Sequence, residues 1–407
     1  MNRKISLGIA ISLAAIACAV TFVITCTVTL NVYNDKIADV QQREEINTRM
    51  QEIDSFIRSY SIYPIDDNAI KTGVYSGYLD GINDKRARYY TTNEYYYKTC
   101  LENGKLVGFG METGREEGGY IKITEVYDNS PAAEAGITAG DVITSIGGVS
   151  VLETGFKTAA EQIKYGDEGT KQRFLIRRSG EETEYTLTRQ SFEIPSVKGT
   201  LLDNGILYLD FKAINGVTAA QLEAVLEENK DNAVSGYIFD LRDCSGGYYA
   251  PVSGILNRFV GGTELASAVY RNNSTKTIAE TTGEGFTNLP ISIIINEKTG
   301  GAAELMAVSL RDFNSAKTVG TVTMGYGTIE ETKAFGDGTA IEISVATVRT
   351  VNESSIYNEV GVKPEFAVEY NGIKETNPLN YASTTDEQLK KAVEVISTAA
   401  VTAAAAN

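Results

Sequence analysis

The first thirty residues contain a long apolar stretch. Residues Ile5 to Leu30 include no charged side chain, and Arg3 and Lys4 directly precede them. A helix rising about 1.5 Å per residue would span about 39 Å over this stretch, more than the ~30 Å hydrocarbon core of a bilayer. The positive charges in front of it favour a cytoplasmic N-terminus. We therefore predict a transmembrane signal anchor over residues 1–33, with a cleaved signal peptide as the alternative.

Residues 34–103 follow with a helical pattern. Apolar side chains recur at near-helical spacing from Asn34 to Tyr60, which predicts either a stalk or dimerising helix or a helix docked on the next domain. A dimerising stalk would make the protein a homo-oligomer. The stretch from Asp66 to Tyr97 is predicted as a second helical segment that runs into tyrosine-rich sequence.

Residues 104–192 change character. One helical run, Phe156–Lys164, lies among short β-rich runs that glycine-rich turns separate. The β-rich runs are Tyr120–Val126, Val142–Ile146, Arg173–Arg178 and Glu184–Thr188. This mixture predicts a small β-barrel with one helix.

Residues 193–370 alternate between strand and helix patterns, which is typical of an α/β sheet domain. The predicted strands are Gly205–Phe211, Ser235–Leu241, Ile291–Ile295, Thr318–Val322 and Ile341–Thr350, and the predicted helices are Thr218–Asn229, Pro251–Phe259 and Ala302–Asp312. Residues 371–407 are predicted to form a C-terminal helix and a tail.

Composition narrows the chemistry. The formal net charge of -16 argues against a nucleic-acid partner, because phosphate binding needs clusters of Lys and Arg. The chain has no His, which excludes histidine-based triads, so a Ser or Thr nucleophile would need Lys, a carboxylate or an N-terminal amine as its base. The four cysteines lack metal-ligand spacing, and a Cys100–Cys244 disulfide stays open. We expect no metal and no other cofactor.

The turn around residues 108–111 suggests a peptide site. Gly108, Phe109, Gly110 and Met111 precede a strand, and N–H groups in such a turn can point together at a carboxylate. The downstream text, from Asn129 through Gly148, strengthens this signal. Residues 105–189 resemble a PDZ domain, which implies capture of an extended peptide or a free C-terminus.

A second turn carries another resemblance. The sequence from Phe239 to Gly247 is similar to the Asp-Leu-Arg-x-Asn-Pro-Gly-Gly turn of the tail-specific, or C-terminal processing, serine peptidases. In that family a backbone N–H of the glycine pair helps to form the oxyanion hole, so the resemblance implies such a role for Gly246 and Gly247. The backbone N–H of Ala302 is the third candidate donor.

The catalytic positions of that family carry other residues here. Residues 294–305 match the family's nucleophile elbow, and the serine position is Gly301. Residues 319–330 match the Gly-Lys-Gly turn, where the lysine position is Tyr326 and the orienting glutamine position is Glu330. Gly301 has no atom to attack with, and a phenol with a usual pKa near 10 is a poor base at neutral pH. No intact catalytic set is therefore expected.

These patterns predict an α/β protein with an N-terminal transmembrane helix and a PDZ-like β-barrel inserted before an α/β core of the tail-specific-peptidase type. The expected function is binding of peptides or protein C-termini without hydrolysis. The expected place is the cell membrane, single-pass, with the bulk of the chain outside the cytoplasm. The alternative is an active endopeptidase with relocated catalytic residues, for which Thr299 and Lys298 are the candidate pair.

Overall fold

The computed structural model describes residues 7–246, 248–283, 287–352 and 357–406, which divide into two compact units after Val74. The first unit contains α1 (Leu7–Tyr60), one continuous helix that passes through the boundary predicted at residues 33/34. None of the helices in the described residues has both the length and the apolar character needed to cross a bilayer. The predicted anchor begins at Ile5, which lies outside the described residues.

The segment predicted as one helix from Asp66 to Tyr97 is instead three elements, so this prediction was wrong. The elements are α2 (Asp67–Asp80), the strand β1 (Arg88–Tyr90) and α3 (Thr92–Asn103). A capping box between Thr91 and Glu94 starts α3, and Gly104 ends it with a left-handed backbone, φ 73°. Local capping therefore breaks the helical pattern.

The PDZ-like region contains the predicted helix and strands, but its main sheet has two edges and is not a closed barrel. In chain order its elements are β2 (Lys105–Gly108), β3 (Met111–Arg115), β4 (Ile121–Val126), α4 (Pro131–Glu134), β5 (Val142–Ile146), β6 (Val149–Ser150), α5 (Val151–Thr154), α6 (Phe156–Lys164), β7 (Lys171–Arg178), β8 (Glu181–Thr188) and β9 (Gln190–Glu193). One sheet has the order β3-β4-β5-β7-β8, with β6 beside β5, and β2 pairs with β9 as a separate ribbon. Among the described residues this order does not close into the predicted barrel. Its core includes Phe109, Ile121, Ile143 and Phe174.

Among its described residues the α/β core contains two sheets. Its elements are β10 (Val197–Leu201), β11 (Ile206–Phe211), α7 (Thr218–Glu228), β12 (Gly236–Asp240), α8 (Ala250–Leu256), β13 (Thr263–Tyr270), β14 (Thr275–Thr281), β15 (Ile291–Ile295), α9 (Ala302–Asn314), β16 (Lys317–Gly320), β17 (Thr328–Ala334), β18 (Ala340–Thr350), β19 (Phe366–Ala367) and α10 (Glu387–Ala406). The first sheet has the order β10-β11-β12-β15-β16-β19 and is parallel from β11 onward. The second sheet has the order β1-β18-β13-β14, with β17 also on β18.

Both faces of the parallel sheet are covered, which explains why β12 and β15 are apolar without alternation. Phe239 of β12 packs toward α8 and α9, whereas Ile238 faces α10. Because β12, β15 and β16 are parallel neighbours, the loops that leave their carboxyl ends emerge at one edge of the sheet. That edge carries the candidate catalytic positions.

Candidate functional site

The turn after β15 is built around Thr299, which is fully buried. Its hydroxyl donates to the Leu241 carbonyl (2.8 Å) and accepts from the Asn296 N–H (3.0 Å). The neighbouring Lys298 points away: its ammonium lies 3.5 Å from an Asp243 oxygen and its side chain is 64% exposed. Thr299 thus fixes the turn, and the structure does not bring this pair together as a nucleophile and its base.

Gly301 lies where the turn becomes α9, with φ 62° and ψ -120°. The loop after β12 packs directly against it. The Ala302 N–H donates to the Gly246 carbonyl (3.1 Å), and the Gly300 N–H donates to the Cys244 carbonyl (3.0 Å). A Cβ added at residue 301 would lie only 2.4 Å from the Gly246 oxygen. The space that a side chain at residue 301 would need is therefore filled by backbone.

The three residues predicted to donate to an oxyanion differ in what their backbone groups contact. The N–H of Ala302 is already paired with the carbonyl of Gly246, so in this geometry it does not face a free space. Gly246 contributes its carbonyl oxygen to this contact, and among the described residues its own N–H has no acceptor. Gly247, the third candidate, lies outside the described residues.

Glu304 joins the elbow to the glycine turn that follows β16. Its buried carboxylate accepts hydrogen bonds from the N–H groups of Gly301 (2.9 Å), Gly325 (2.7 Å) and Tyr326 (2.7 Å), and from the Thr323 hydroxyl. Burial raises the pKa of Glu304, and these four donors oppose that rise. One side chain thus sets the distance between residues 301 and 326. This linking role of Glu304 was not predicted from the sequence.

Tyr326 occupies the base position, but an arginine covers its ring. The Arg86 guanidinium carbon lies 3.4 Å from the ring centroid. Burial and the nearby carboxylate of Glu330 raise the phenol pKa well above its usual value, despite the opposing charge of Arg86. The Glu330 carboxylate also accepts a hydrogen bond from the Thr328 hydroxyl (2.6 Å). At neutral pH the Tyr326 hydroxyl is protonated and cannot remove a proton.

Arg86 was not found from the sequence. It lies between α2 and β1, far along the chain from the glycine turn, and its Nη2 also approaches Met324 Sδ (3.5 Å). The nearby Asp84 accepts from the Ser344 N–H (2.8 Å) and hydroxyl (3.0 Å) on β18. These contacts bring the segment before β1 to the site, and no local sequence motif predicts them.

A buried ionic cluster supports the loop after β12. The Arg242 side chain has no solvent exposure and pairs with Asp240 (2.6 Å) and Asp386 (2.8 Å). The Tyr208 hydroxyl donates to Asp240 (2.5 Å), and the Lys374 ammonium lies 3.6 Å from the same carboxylate. Burial disfavours ionised Asp240, but the charges of Lys374 and Arg242 lower its pKa below the usual range.

The cysteines make no disulfide: Cys100 and Cys244 are both free, so the bridge considered from the sequence is wrong. Cys244 is buried in the loop after β12, and burial raises the pKa of its thiol to about 12. It is therefore a packed thiol rather than a reactive thiolate at neutral pH.

The predicted peptide-binding turn lines a groove with a cavity of about 550 Å³. Gly108, Phe109, Gly110 and Met111 form one side of it and α6 forms another. Phe109 is buried against Phe174, with ring centroids 5.0 Å apart, and Gly110 has a positive φ of 78°. Among the hydrogen bonds of the described residues, none is donated by the N–H of Phe109 or Gly110. These two donors of the turn therefore lack an acceptor within the described residues.

Comparison with known proteins agrees with both halves of this arrangement. The model of peptidase family S41 matches residues 205–368, and a PDZ domain model matches residues 122–178. Residues 205–368 therefore belong to peptidase family S41, and residues 122–178 belong to a PDZ domain.

Individual relatives have low sequence identity to this chain, but the similarity extends over most of its length. The chain is 25% identical over 372 residues to the carboxy-terminal processing protease CtpA of Bacillus subtilis (strain 168), covering 91% of this chain and 78% of that protein. It is 24% identical over 360 residues to a probable CtpA-like serine protease of Staphylococcus aureus (strain MSSA476), covering 86% and 71%. A putative S41 protease from Bacteroides fragilis NCTC 9343 has a solved structure that covers 85% of this chain and 97% of its own, with a TM-score of 0.52 at 17% identity. That likeness shows a shared fold.

Proposed function

We propose that this protein is a membrane-anchored, extracytoplasmic member of its family that binds peptides or protein C-termini through the PDZ domain and does not hydrolyse them. The observation that carries the proposal is at residue 301. The family's nucleophile position is a glycine, and the Gly246 carbonyl oxygen lies 2.4 Å from where its Cβ would stand.

Three requirements of a serine–lysine mechanism are not met by the described residues Gly301, Tyr326 and Ala302. Gly301 supplies no hydroxyl, and Tyr326 supplies a protonated phenol under Arg86 instead of a neutral amine. The third requirement is a free backbone donor for the developing oxyanion. The N–H of Ala302 is already used by Gly246, and this supports an inactive elbow.

The groove beside the PDZ domain supports the binding role. It pairs an apolar floor, which includes Phe109, with two N–H groups that have no acceptor in the described chain. A groove of this kind suits an extended chain end, because a carboxylate can accept from such donors while apolar side chains enter the pocket. The edge strand β3 lies along the groove and can pair with the backbone of the bound peptide.

The anchor and the oligomeric state are parts of the same proposal. The uncharged run from Ile5 to Leu30 supports insertion into a membrane. Along the rest of α1, exposed Ile46, Ile53 and Ile57 follow heptad-like spacing, which supports self-association through the stalk. Membrane insertion would leave the PDZ domain and the α/β core outside the cytoplasm.

Binding of fluorescent peptides with apolar, free C-termini to the full-length protein tests the proposal. We expect saturable binding that Gly110→Ala abolishes, because its Cβ would lie 2.0 Å from Ser130 Cβ. Gly136→Ala is the matched control, since that glycine also has positive φ (74°) but nothing within 4 Å of an added Cβ. Equal peptide binding by the two variants, or no binding by the wild type, would contradict the proposed binding role.

A further inference from the structure

The peptide groove has two distinguishable ends. At one end, Arg189 donates from Nη1 to the Ile163 carbonyl (2.8 Å) and lies 4.2 Å over the ring of Phe109. The last turn of α6 is therefore beside the turn at residues 108–111. At the other end, Arg115, the last residue of β3, lies 5.6 Å over the ring of Phe156, the first residue of α6.

This orientation fixes where a bound C-terminus would lie. β3 ends the hydrogen-bonded order of its sheet, so its outer edge can accept an added strand. The five residues of β3 rise about 13 Å and the nine residues of α6 rise about 12 Å, so the two walls match in length. The N–H groups of Phe109 and Gly110 are at the end where α6 finishes, which places the carboxylate there.

Lys164 is the exposed cation at that end, since Arg189 is buried there and donates to the carbonyls of Ile163 and Gln162. It is the last residue of α6 and lines the groove, and its ammonium lies 4.0 Å from the ring centroid of Tyr97 and 5.5 Å from that of Tyr165. Within the described chain it forms no ion pair with a carboxylate. Lys157 also lines the groove, but it lies in the first turn of α6, about 10 Å away along the helix.

Tyr97 comes from outside the PDZ domain. It belongs to α3, before the matched residues 122–178, and its ring meets Tyr165 edge-on at 6.0 Å. The aromatic pair surrounds the ammonium of Lys164 with electron-rich faces, which favour a cation but cannot neutralise it. The groove end is thus assembled from two separate parts of the chain, and its exposed positive charge, that of Lys164, is left to pair with a ligand.

We propose that Lys164, positioned by Tyr97 of α3, binds the terminal carboxylate of a peptide in the PDZ groove, and so selects free C-termini over internal or blocked segments. This inference rests on the proposed binding function and adds to it the residue that determines the ligand class. The backbone donors of the turn supply hydrogen bonds, and Lys164 supplies the charge.

The test compares free-acid and C-terminally amidated forms of the same labelled peptides on the full-length protein. The peptides have mixed upstream residues and end in Val, Leu, Ile, Phe or Ala. We expect the wild type to prefer the free acid by about tenfold or more, as for a hydrogen bond to a charged group. Lys164→Met should reduce this preference to about twofold or less, whereas Lys157→Met, the matched control, should retain it.

Tyr97 is tested as a positioning residue by the same ratio. Tyr97→Leu should lower the free-acid preference several-fold, and Tyr97→Phe should restore it, because the ring and not the hydroxyl contacts the ammonium. Binding with an unchanged free-acid preference in Lys164→Met would overturn this inference and leave the binding function intact. Absence of binding by the wild type to every peptide would overturn both.

Discussion

A single methyl group added at residue 301 tests whether backbone of the loop after β12 fills the space beside this residue. In Gly301→Ala the new Cβ would lie 2.4 Å from the oxygen and 3.0 Å from the carbon of the Gly246 carbonyl. Both atoms are backbone, and the φ of 62° is one that side chains rarely adopt. The loop after β12 must therefore move, or the start of α9 must change.

The expected cost has three parts. The unfavourable backbone conformation contributes about 1–3 kcal/mol, and the crowding contributes about 1–3 kcal/mol before relaxation. Movement of the loop relieves part of the crowding but breaks the bond from the Ala302 N–H to Gly246, worth about 1 kcal/mol. We expect a net destabilisation of about 3 kcal/mol, which corresponds to a fall in Tm of about 6–12 °C.

Thermal unfolding followed by circular dichroism measures this difference. The matched control is Gly300→Ala, whose Cβ would lie 3.2 Å from the flexible end of Met324 and whose φ is not positive. It should cost less than about 1 kcal/mol. Equal Tm values for the two variants would refute the reasoning, because they would mean that the Gly246 carbonyl does not pack against residue 301.

Two other perturbations test the surroundings of the site. The pKa of Asp240 is lowered by Lys374 and Arg242, so its contribution to stability is present above about pH 4 and is lost as the pH falls below that value. Urea unfolding between about pH 3 and pH 6 should therefore show that the free energy of unfolding falls less at acid pH in Asp240→Asn than in the wild type. The same dependence of this free energy on pH in both proteins would contradict the lowered pKa of Asp240. Thr299→Val removes the hydroxyl that donates to Leu241, and should lower the free energy of unfolding by about 2 kcal/mol without weakening peptide binding; weakened binding at unchanged stability would argue against a structural role.

Periodic sequence patterns predicted much of the fold. The helix Phe156–Lys164 and the strand Ile291–Ile295 have the predicted bounds, because an amphipathic helix and a fully buried strand leave strong local signals. The hairpin of β13 and β14 was missed, since its strands carry polar residues on an exposed face and its turn has no glycine. The second helical segment was predicted within Asp66–Tyr97 as a single helix, whereas capping at Thr91 starts a separate helix there.

The site was predictable only where one motif contained it. The match over residues 294–305 assigned Gly301 to the elbow, and in the structure Gly301 directly precedes α9. The Arg86 contact with Tyr326 joins distant parts of the chain, and the bond from Ala302 to Gly246 depends on how two loops pack. Neither contact leaves a periodic pattern in the sequence. Only the tertiary structure therefore shows that backbone fills the space beside residue 301.

The most direct test of the central claim is incubation of the full-length protein with a labelled unfolded protein, with products identified by mass spectrometry. A bound but uncut substrate is the predicted result, because Gly301 offers no nucleophile and Tyr326 no neutral-pH base. Cleavage by the wild type that disappears in Tyr326→Phe or Thr299→Val would contradict it, and would mean that this chain cuts its ligands with a different set of catalytic residues.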